Sequence, residues 1–135
     1  MPANFFDTNV LLYVASTDTA KADRAEAAVG EGGTVSVQVL NELANVARRK
    51  MHMSWKETHE FLNTLRNLLT VHPLTVETHD TGLRLAEKYG FSTFDGMIVA
   101  SALHAGCDIL WSEDMQDGLA IDGALQIRNP FRTTD

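Results

Sequence analysis

The stretch Asn4-Phe5-Phe6-Asp7-Thr8-Asn9 decides the fold that we predict for this sequence. A short apolar run that stops abruptly at polar residues is typical of a buried strand that ends at the edge of a sheet. The apolar segment 10–15 follows, and it predicts a helix that Thr8 or Asn9 would cap. In open α/β sheets, ligands bind at the carboxyl ends of the strands, where Asp7 would lie. Its carboxylate is therefore either a metal ligand or a cap for the next turn.

Size and composition are those of an ordinary globular chain. With 135 residues, 44% of them hydrophobic and 21% charged, we expect a single domain over residues 1–135 with a sizeable core. The sequence shows no signal-peptide pattern and no apolar run of about 18 residues, so we expect a cytoplasmic protein without a membrane partner. The single cysteine, Cys107, cannot form an internal disulfide, and we expect it to be buried.

The formal net charge of −7 argues against binding nucleic acid by bulk attraction. It does not exclude a nuclease, because divalent ions bound to carboxylates reverse the sign of the charge where a phosphate must dock.

The rest of the chain alternates helical patterns with short apolar strands. The predicted helices cover residues 20–29, 38–50, 54–69, 76–89 and 94–105, and the predicted strands cover 34–37, 71–74, 108–111 and 124–128. Ser54 and Glu57 form a capping-box pattern, and Leu68 belongs to the stripe that we expect to face inward. Thr93 is the expected cap of the last helix. Pro73 predicts an edge position for its strand, and the alternating segment 124–128 predicts another edge strand.

Four acids follow strands or begin helices: Asp7, Glu42, Asp95 and Asp114. In a parallel sheet with right-handed crossovers, such positions fall along one edge. Carboxylate oxygens suit Mg²⁺ and Mn²⁺, whereas crowded carboxylates without a cation repel one another. The alternative interpretation of Asp95 is that a first-turn acid complements the helix dipole. No paired His or Cys pattern offers a zinc site, and the five histidines are scattered.

The helix over 38–50 ends in Arg48-Arg49-Lys50. Basic residues there complement the helix dipole and are commonly a solvated helix end. The functional alternative is a patch that contacts phosphates, since arginine matches phosphate oxygens in two-pronged fashion.

Taken together, these motifs resemble the PIN-domain family of metal-dependent ribonucleases, and within it the VapC-type toxins of type II toxin–antitoxin modules. The resemblance extends from about Ala3 to Phe131, in the family's order. It is carried by four segments: Phe6-Asp7-Thr8-Asn9, Asn41-Glu42, Thr93-Phe94-Asp95 and Ser112-Glu113-Asp114-Met115-Gln116-Asp117-Gly118. The resemblance implies an α/β fold, a three-layer α/β/α sandwich with a mainly parallel central sheet.

It also implies roles for individual residues. The catalytic, metal-binding quartet would be Asp7, Glu42, Asp95 and Asp114, with Asp117 as a further acid near the metal. Thr8, Asn9 and Ser112 would be polar supports, although capping explains them equally well. Gly96 departs from the small apolar residue that is usual after the third acid, so we expect a looser helix start there. The implied reaction is hydrolysis of an RNA phosphodiester assisted by one or two Mg²⁺ or Mn²⁺ ions, without a nucleophilic side chain.

The implied partners are a cognate antitoxin, an RNA substrate and a second copy of the chain in a homodimer. Trp55, Phe61 and Leu62 are a candidate docking surface, with core packing as the alternative, and Met51 and Met53 would lie at the rim of the active-site groove. A second functional hypothesis is a catalytically weak PIN-fold module that binds antitoxin or RNA. A phosphatase with an aspartate nucleophile is disfavoured, since the first motif lacks a second aspartate two residues on.

Overall fold

The computed structural model describes residues 3–132. Its six strands are β1 (Asn4–Phe6), β2 (Thr34–Ser36), β3 (Thr70–His72), β4 (Ile109–Trp111), β5 (Ala120–Ile121) and β6 (Leu125–Arg128). Its six α-helices are α1 (Thr8–Leu12), α2 (Thr19–Gly30), α3 (Val37–Arg49), α4 (Trp55–Leu68), α5 (Val76–Tyr89) and α6 (Thr93–His104), and a short 3₁₀ turn, Tyr13–Ala15, extends α1.

The strands form one sheet in the order β3-β2-β1-β4-β6-β5. All neighbouring pairs are parallel except β5 and β6. With helices covering both faces, this is the predicted three-layer α/β/α sandwich with a mainly parallel sheet.

The strand order creates a topological switch point between β1 and β4. From β1 the chain proceeds outward to β2 and β3, and it then returns to β4 on the opposite side of β1. Connections that diverge from two neighbouring parallel strands leave a crevice at their carboxyl ends, which is the usual ligand site of such sheets. Asp7 follows β1, and the 112–117 segment follows β4, so both border this crevice.

The core lies on both sides of β1 and β4. Phe5, Phe6 and Leu110 have no exposed surface, and neither does Ile98 of α6. Residues 96–102 of α6 are all buried, as expected for a helix that is apolar on every side. Cys107 is buried as predicted, at 5% exposure.

Several local predictions are confirmed and several are wrong. The capping box at Ser54 is present, and the strand before Pro73 lies at the sheet edge.

Leu68 is 55% exposed rather than inward, because α4 ends there and the buried positions of its face are taken by neighbouring leucines. The segment 124–128 is also not an edge strand: the chain folds back through β5, which pairs with β6 and takes the edge. Ser92, not Thr93, caps α6, because the helix begins one residue earlier than predicted.

The start of α6 is tight rather than loose. A Cβ atom at Gly96 would lie 2.5 Å from the carbonyl oxygen of Gly82 in α5, and one at Gly82 would lie 2.6 Å from Sδ of Met97. The two glycines therefore let α5 and α6 pack backbone against backbone, and the α5–α6 hairpin holds the first turn of α6 in place.

Within the described range, no helix is long and apolar enough to cross a bilayer.

Candidate active site

Asp7 is the acid at the centre of the crevice. It is 4% exposed, and Oδ1 accepts a hydrogen bond from the Thr8 backbone N–H at 2.7 Å. Oδ2 accepts from Oγ of Ser112 at 2.8 Å and from Nδ2 of Asn9 at 3.1 Å. Asp7 itself is thus the N-cap of α1, which confirms the capping interpretation of this acid. The prediction of Thr8 or Asn9 as cap is wrong, because the helix begins directly after the strand.

Asn9 connects the first acid to the last. Its Nδ2 donates to Oδ2 of Asp7 and to Oδ2 of Asp114, each at 3.1 Å. Its Oδ1 accepts the backbone N–H of Glu113 at 3.0 Å. One amide therefore joins the carboxyl ends of β1 and β4 across the switch point.

Glu42 reaches the same place from the second turn of α3. Oε1 accepts from Oγ1 of Thr8 at 3.1 Å, and Oε2 accepts from Nε2 of Gln38, one turn earlier, at 3.0 Å. Both partners are neutral donors, so they orient the carboxylate without neutralising its charge.

Asp95 enters from the first turn of α6. Its backbone N–H donates to Oγ of Ser92 at 3.1 Å, which fixes the turn. Burial raises the pKa of Asp95, and the negative charges of Glu42 and Asp114 raise it further. The third acid is therefore close enough to two others to feel their charge.

The environment of Asp7 strongly disfavours the ionised form of its carboxyl group. Burial raises the pKa of this carboxyl from 3.8 to about 6, and the charges of Asp95 and Glu42 add to the rise, while the hydrogen bonds from Ser112 and Thr8 oppose it. Among residues 3–132, none of the ion pairs involves any of the four acids. The cluster is thus an uncompensated concentration of negative charge.

The donor chemistry of this cluster fits a hard divalent cation. It consists of carboxylate oxygens with neutral hydroxyl and amide neighbours, which Mg²⁺ and Mn²⁺ prefer, and a cation would relieve the repulsion. In the described range, no three His, Cys, Asp or Glu side chains stand ready to enclose one ion. Binding would therefore draw the carboxylates closer, or leave part of the coordination to water, as is common for Mg²⁺.

The sequence interpretation missed a polar cluster that anchors the segment after β4. The carboxylate of Glu113 accepts hydrogen bonds from the Tyr13 hydroxyl at 2.7 Å and from Nζ of Lys21. The Lys21 ammonium also lies 4.6 Å from the centre of the Tyr13 ring and 5.2 Å from that of Phe131. Glu113 thus holds its neighbour Asp114 in register with Asn9. The only sequence signal was an acid beside the motif aspartate.

The fifth predicted acid is engaged elsewhere. Oδ1 of Asp117 accepts the Asn129 backbone N–H at 2.8 Å, and Oδ2 accepts from Arg132 at 3.0 Å. These bonds fasten the chain after β6 to the segment after β4. A metal-binding role for Asp117 stays a prediction, and these contacts give it no support.

A groove of about 600 Å³ leads away from the acids. It is lined by Asn9 and Asp114 of the acid cluster, by Leu12 and Tyr13, and by Met51. Of the two methionines predicted at its rim, Met51 lines the groove and Met53 does not.

The comparisons with known proteins agree with this architecture. The PIN domain family matches residues 5–119. The chain belongs to the PIN domain family. No curated protein matches the sequence closely enough to count as a relative.

Solved structures extend the likeness of this PIN domain to nearly the whole chain. A toxin–antitoxin complex from Klebsiella pneumoniae aligns with a TM-score of 0.74 at 17% identity, covering 97% of this chain and 100% of that one. DNA-bound VapBC from Salmonella typhimurium aligns with a TM-score of 0.69 at 17% identity, covering 96% and 99%. VapC20 of Mycobacterium tuberculosis, a Sarcin-Ricin loop cleaving toxin, aligns with a TM-score of 0.63 at 14% identity, covering 83% and 90%. At these identities the likeness establishes the fold.

Proposed function

We propose that this PIN domain is the toxin of a type II toxin–antitoxin module and that it hydrolyses RNA phosphodiester bonds with Mg²⁺ or Mn²⁺. Family membership supports a nuclease. The structural neighbours support the toxin assignment, since they include toxin–antitoxin complexes and one toxin named for cleaving the Sarcin-Ricin loop.

The observation that carries the proposal is the acid cluster without a basic partner. Asp7 caps α1, but a cap does not require a buried charge beside other carboxylates, and burial of an unpaired charge is unfavourable. The arrangement becomes favourable when a divalent cation is present, so it is the kind of strained electrostatic site that marks catalysis.

The roles we assign follow from the contacts. Asp7, Glu42, Asp95 and Asp114 would hold the metal. A bound Mg²⁺ or Mn²⁺ supplies Lewis-acid chemistry that acidifies water and neutralises charge on the phosphate. Asn9, Thr8 and Ser112 orient the carboxylates through neutral hydrogen bonds. The crevice positions the phosphate, and no side chain forms a covalent bond with it.

We further propose that the partners are a cognate antitoxin and a second copy of the chain in a homodimer, located in the cytoplasm. The toxin–antitoxin assemblies among the structural neighbours support the antitoxin. Of the docking surface suggested by the sequence, Phe61 and Leu62 pack partly against the core, so the core-packing alternative accounts for these two side chains.

The decisive experiment is a metal titration of RNA cleavage with the purified, chelator-stripped chain, followed by sequencing of the RNA ends. We expect no cleavage until Mg²⁺ or Mn²⁺ is added, and none from Asp7→Asn or Asp95→Asn. Asp23→Asn, an exposed acid in α2, is the matched control and should cleave like the wild type. Cleavage at full rate by either site variant would refute the assignment. Tight binding of antitoxin or RNA without cleavage at any metal concentration would favour the alternative of a non-cleaving binding module.

A further inference from the structure

The C-terminal end of α3 and the start of α4 present a mixed basic and aromatic surface. We call it the basic–aromatic patch and define it as Arg48, Arg49, Lys50, Trp55 and His59. The large side chain of Trp55 is 62% exposed at the first position of α4, so core packing does not explain it.

Arg48 holds the Trp55 ring in place. Its guanidinium carbon lies 4.2 Å from the ring centre, and Nη1 donates to the carbonyl oxygen of Met53 at 2.6 Å. The ring of His59, one turn along α4, lies 6.3 Å from that of Trp55. Arg48 and His59 therefore restrict the motion of the exposed indole. Because the side chain is already partly ordered, it loses less entropy when a ligand stacks on it.

The patch adjoins the connection between α3 and α4, which also borders the groove. This connection folds back on the helix end, because the backbone N–H groups of Met51 and Met53 donate to the carbonyls of Val46 and Ala47 at 3.1 and 3.0 Å. Met51 and Val46 line the groove, together with Asn9 and Asp114. The groove beside the acids and the patch therefore share the α3–α4 connection.

The charge of the patch selects the kind of ligand. Of the 11 basic residues, five form ion pairs within residues 3–132: Lys21, Lys56, Arg84, Lys88 and Arg132. Of the six that form none in that range, three are consecutive at 48–50. In a chain with a net charge of −7, this concentration of cations beside an exposed indole matches a ligand with negative charges and flat faces. A single-stranded nucleic acid has both.

We propose that the basic–aromatic patch binds the single-stranded RNA that flanks the cleaved bond, with a base stacked on Trp55 and phosphates at Arg49 and Lys50. Arg48 supports the indole instead of contacting phosphate. This inference rests on the proposed ribonuclease function, and it adds the substrate class, an unpaired strand that is longer than the crevice and also contacts the α3–α4 connection.

The test compares two unstructured RNAs of mixed sequence, one of about 4 and one of about 16 nucleotides, which bracket the site sizes of single-strand binding folds. Trp55→Ala should raise KM for the long RNA about 5- to 150-fold, the range for loss of one stacked base. It should leave kcat for both RNAs and KM for the short RNA unchanged. Trp55→Phe keeps an aromatic face and should restore most of the affinity, whereas Trp55→Leu should not. Leu68→Ala, at the exposed end of the same helix, is the matched control and should behave like the wild type.

A binding measurement separates this inference from the proposed function. The fluorescence anisotropy of labelled long RNA reports affinity without any cleavage. If no RNA is cut but binding still depends on Trp55, the ribonuclease proposal fails and the patch assignment stands. Equal affinity of the wild type and Trp55→Ala for the long RNA overturns the patch assignment, whether or not RNA is cut. The patch assignment is also overturned if Trp55→Ala binds RNA normally but no longer forms the dimer or binds the antitoxin, because the patch is then a protein-binding surface.

The salt dependence provides a second measurement. Replacement of Arg49 and Lys50 together by Gln should reduce the slope of log affinity against log salt by about 1.4, at about 0.7 per phosphate contact on a single strand. An unchanged slope would contradict phosphate contacts at these two residues.

Discussion

Neutralising Asp7 should stabilise the metal-free protein, although it removes a residue that we place in the metal site. Burial holds the pKa of this carboxyl at about 6 instead of 3.8. Each unit of difference between the pKa values of the folded and unfolded states corresponds to about 1.4 kcal/mol. Ionisation of Asp7 at neutral pH therefore lowers the free energy of unfolding by about 3 kcal/mol. Asp7→Asn removes this penalty. The asparagine can keep the bond to the Thr8 N–H, but its amide nitrogen cannot accept from Ser112 or Asn9, a loss of about 1 kcal/mol for each of these two bonds. The net expectation is a gain of about 1 kcal/mol.

The pH dependence has a definite sign. Between pH 3.8 and about 6, the folded chain retains a proton on Asp7 that the unfolded chain has released. The free energy of unfolding of the wild type should therefore decrease as the pH rises through this window and become level above it. The Asp7→Asn variant should lack this decrease, so the two stability curves should cross: the wild type is the more stable at the acidic end, and the variant is the more stable at neutral pH.

The assay is urea denaturation in chelator across this pH range, with Asp122→Asn as a control of opposite sign. Hydrogen bonds from Arg84 and Lys88 lower the pKa of Asp122 to about 2. Its ionised form therefore stabilises the fold above the unfolded pKa, and the stabilisation is lost as the pH falls towards 2; its replacement should lower stability at neutral pH. Added Mg²⁺ or Mn²⁺ should stabilise the wild type and Asp122→Asn but not Asp7→Asn. Lower stability of Asp7→Asn than of the wild type in chelator at neutral pH would refute the charge argument.

Three further predictions concern the groups that hold the site together. Gly96→Ala should lower the free energy of unfolding by about 1–2 kcal/mol, because overpacking against the Gly82 carbonyl outweighs the better helix propensity of alanine; a variant as stable as the wild type in thermal melts would contradict the close packing. Tyr13→Phe should lower stability by about 1 kcal/mol through loss of the hydroxyl bond to Glu113, and a denaturant midpoint equal to that of the wild type would show that this bond is dispensable. Asn9→Ala should weaken Mn²⁺ binding in calorimetric titrations more than it lowers stability, and unchanged affinity would exclude Asn9 as the positioning residue.

The parallel sheet and the proximity of Asp7 to Asp114 could be predicted from the sequence for a physical reason. Strand ends in a parallel sheet converge on one edge whatever the details of the loops, so Asp7 and Asp114 could be placed together from their order alone. The sequence left the cap of α1 open among Asp7, Thr8 and Asn9, because all three are good caps and the choice depends on where β1 stops. The prediction for Gly96 was wrong for a different reason. The close packing at Gly96 depends on Gly82 in the neighbouring helix, and the residues next to Gly96 in the sequence do not indicate this contact.

The polar contacts around the acids were also beyond the sequence. Tyr13 and Lys21 lie 100 and 92 residues before Glu113, and nothing in their types indicates that the three side chains meet. The strand β5 is only two residues long, Ala120–Ile121, so it shows no alternation, and without it the following strand was assigned to the edge.

The arrangement around Asp7 would allow the chain to fold before the proposed metal binds. A basic residue beside the acids would stabilise the metal-free fold more, but it would compete with the cation for the same carboxylates. Neutral donors from Thr8, Asn9 and Ser112 satisfy the oxygens and leave the charge in place. The residual repulsion lowers the stability of the metal-free protein, and its relief would add to the affinity for the proposed ion. Asn9 illustrates the principle, since its amide bridges Asp7 and Asp114 and a lysine in its place would hold both acids at the expense of the metal.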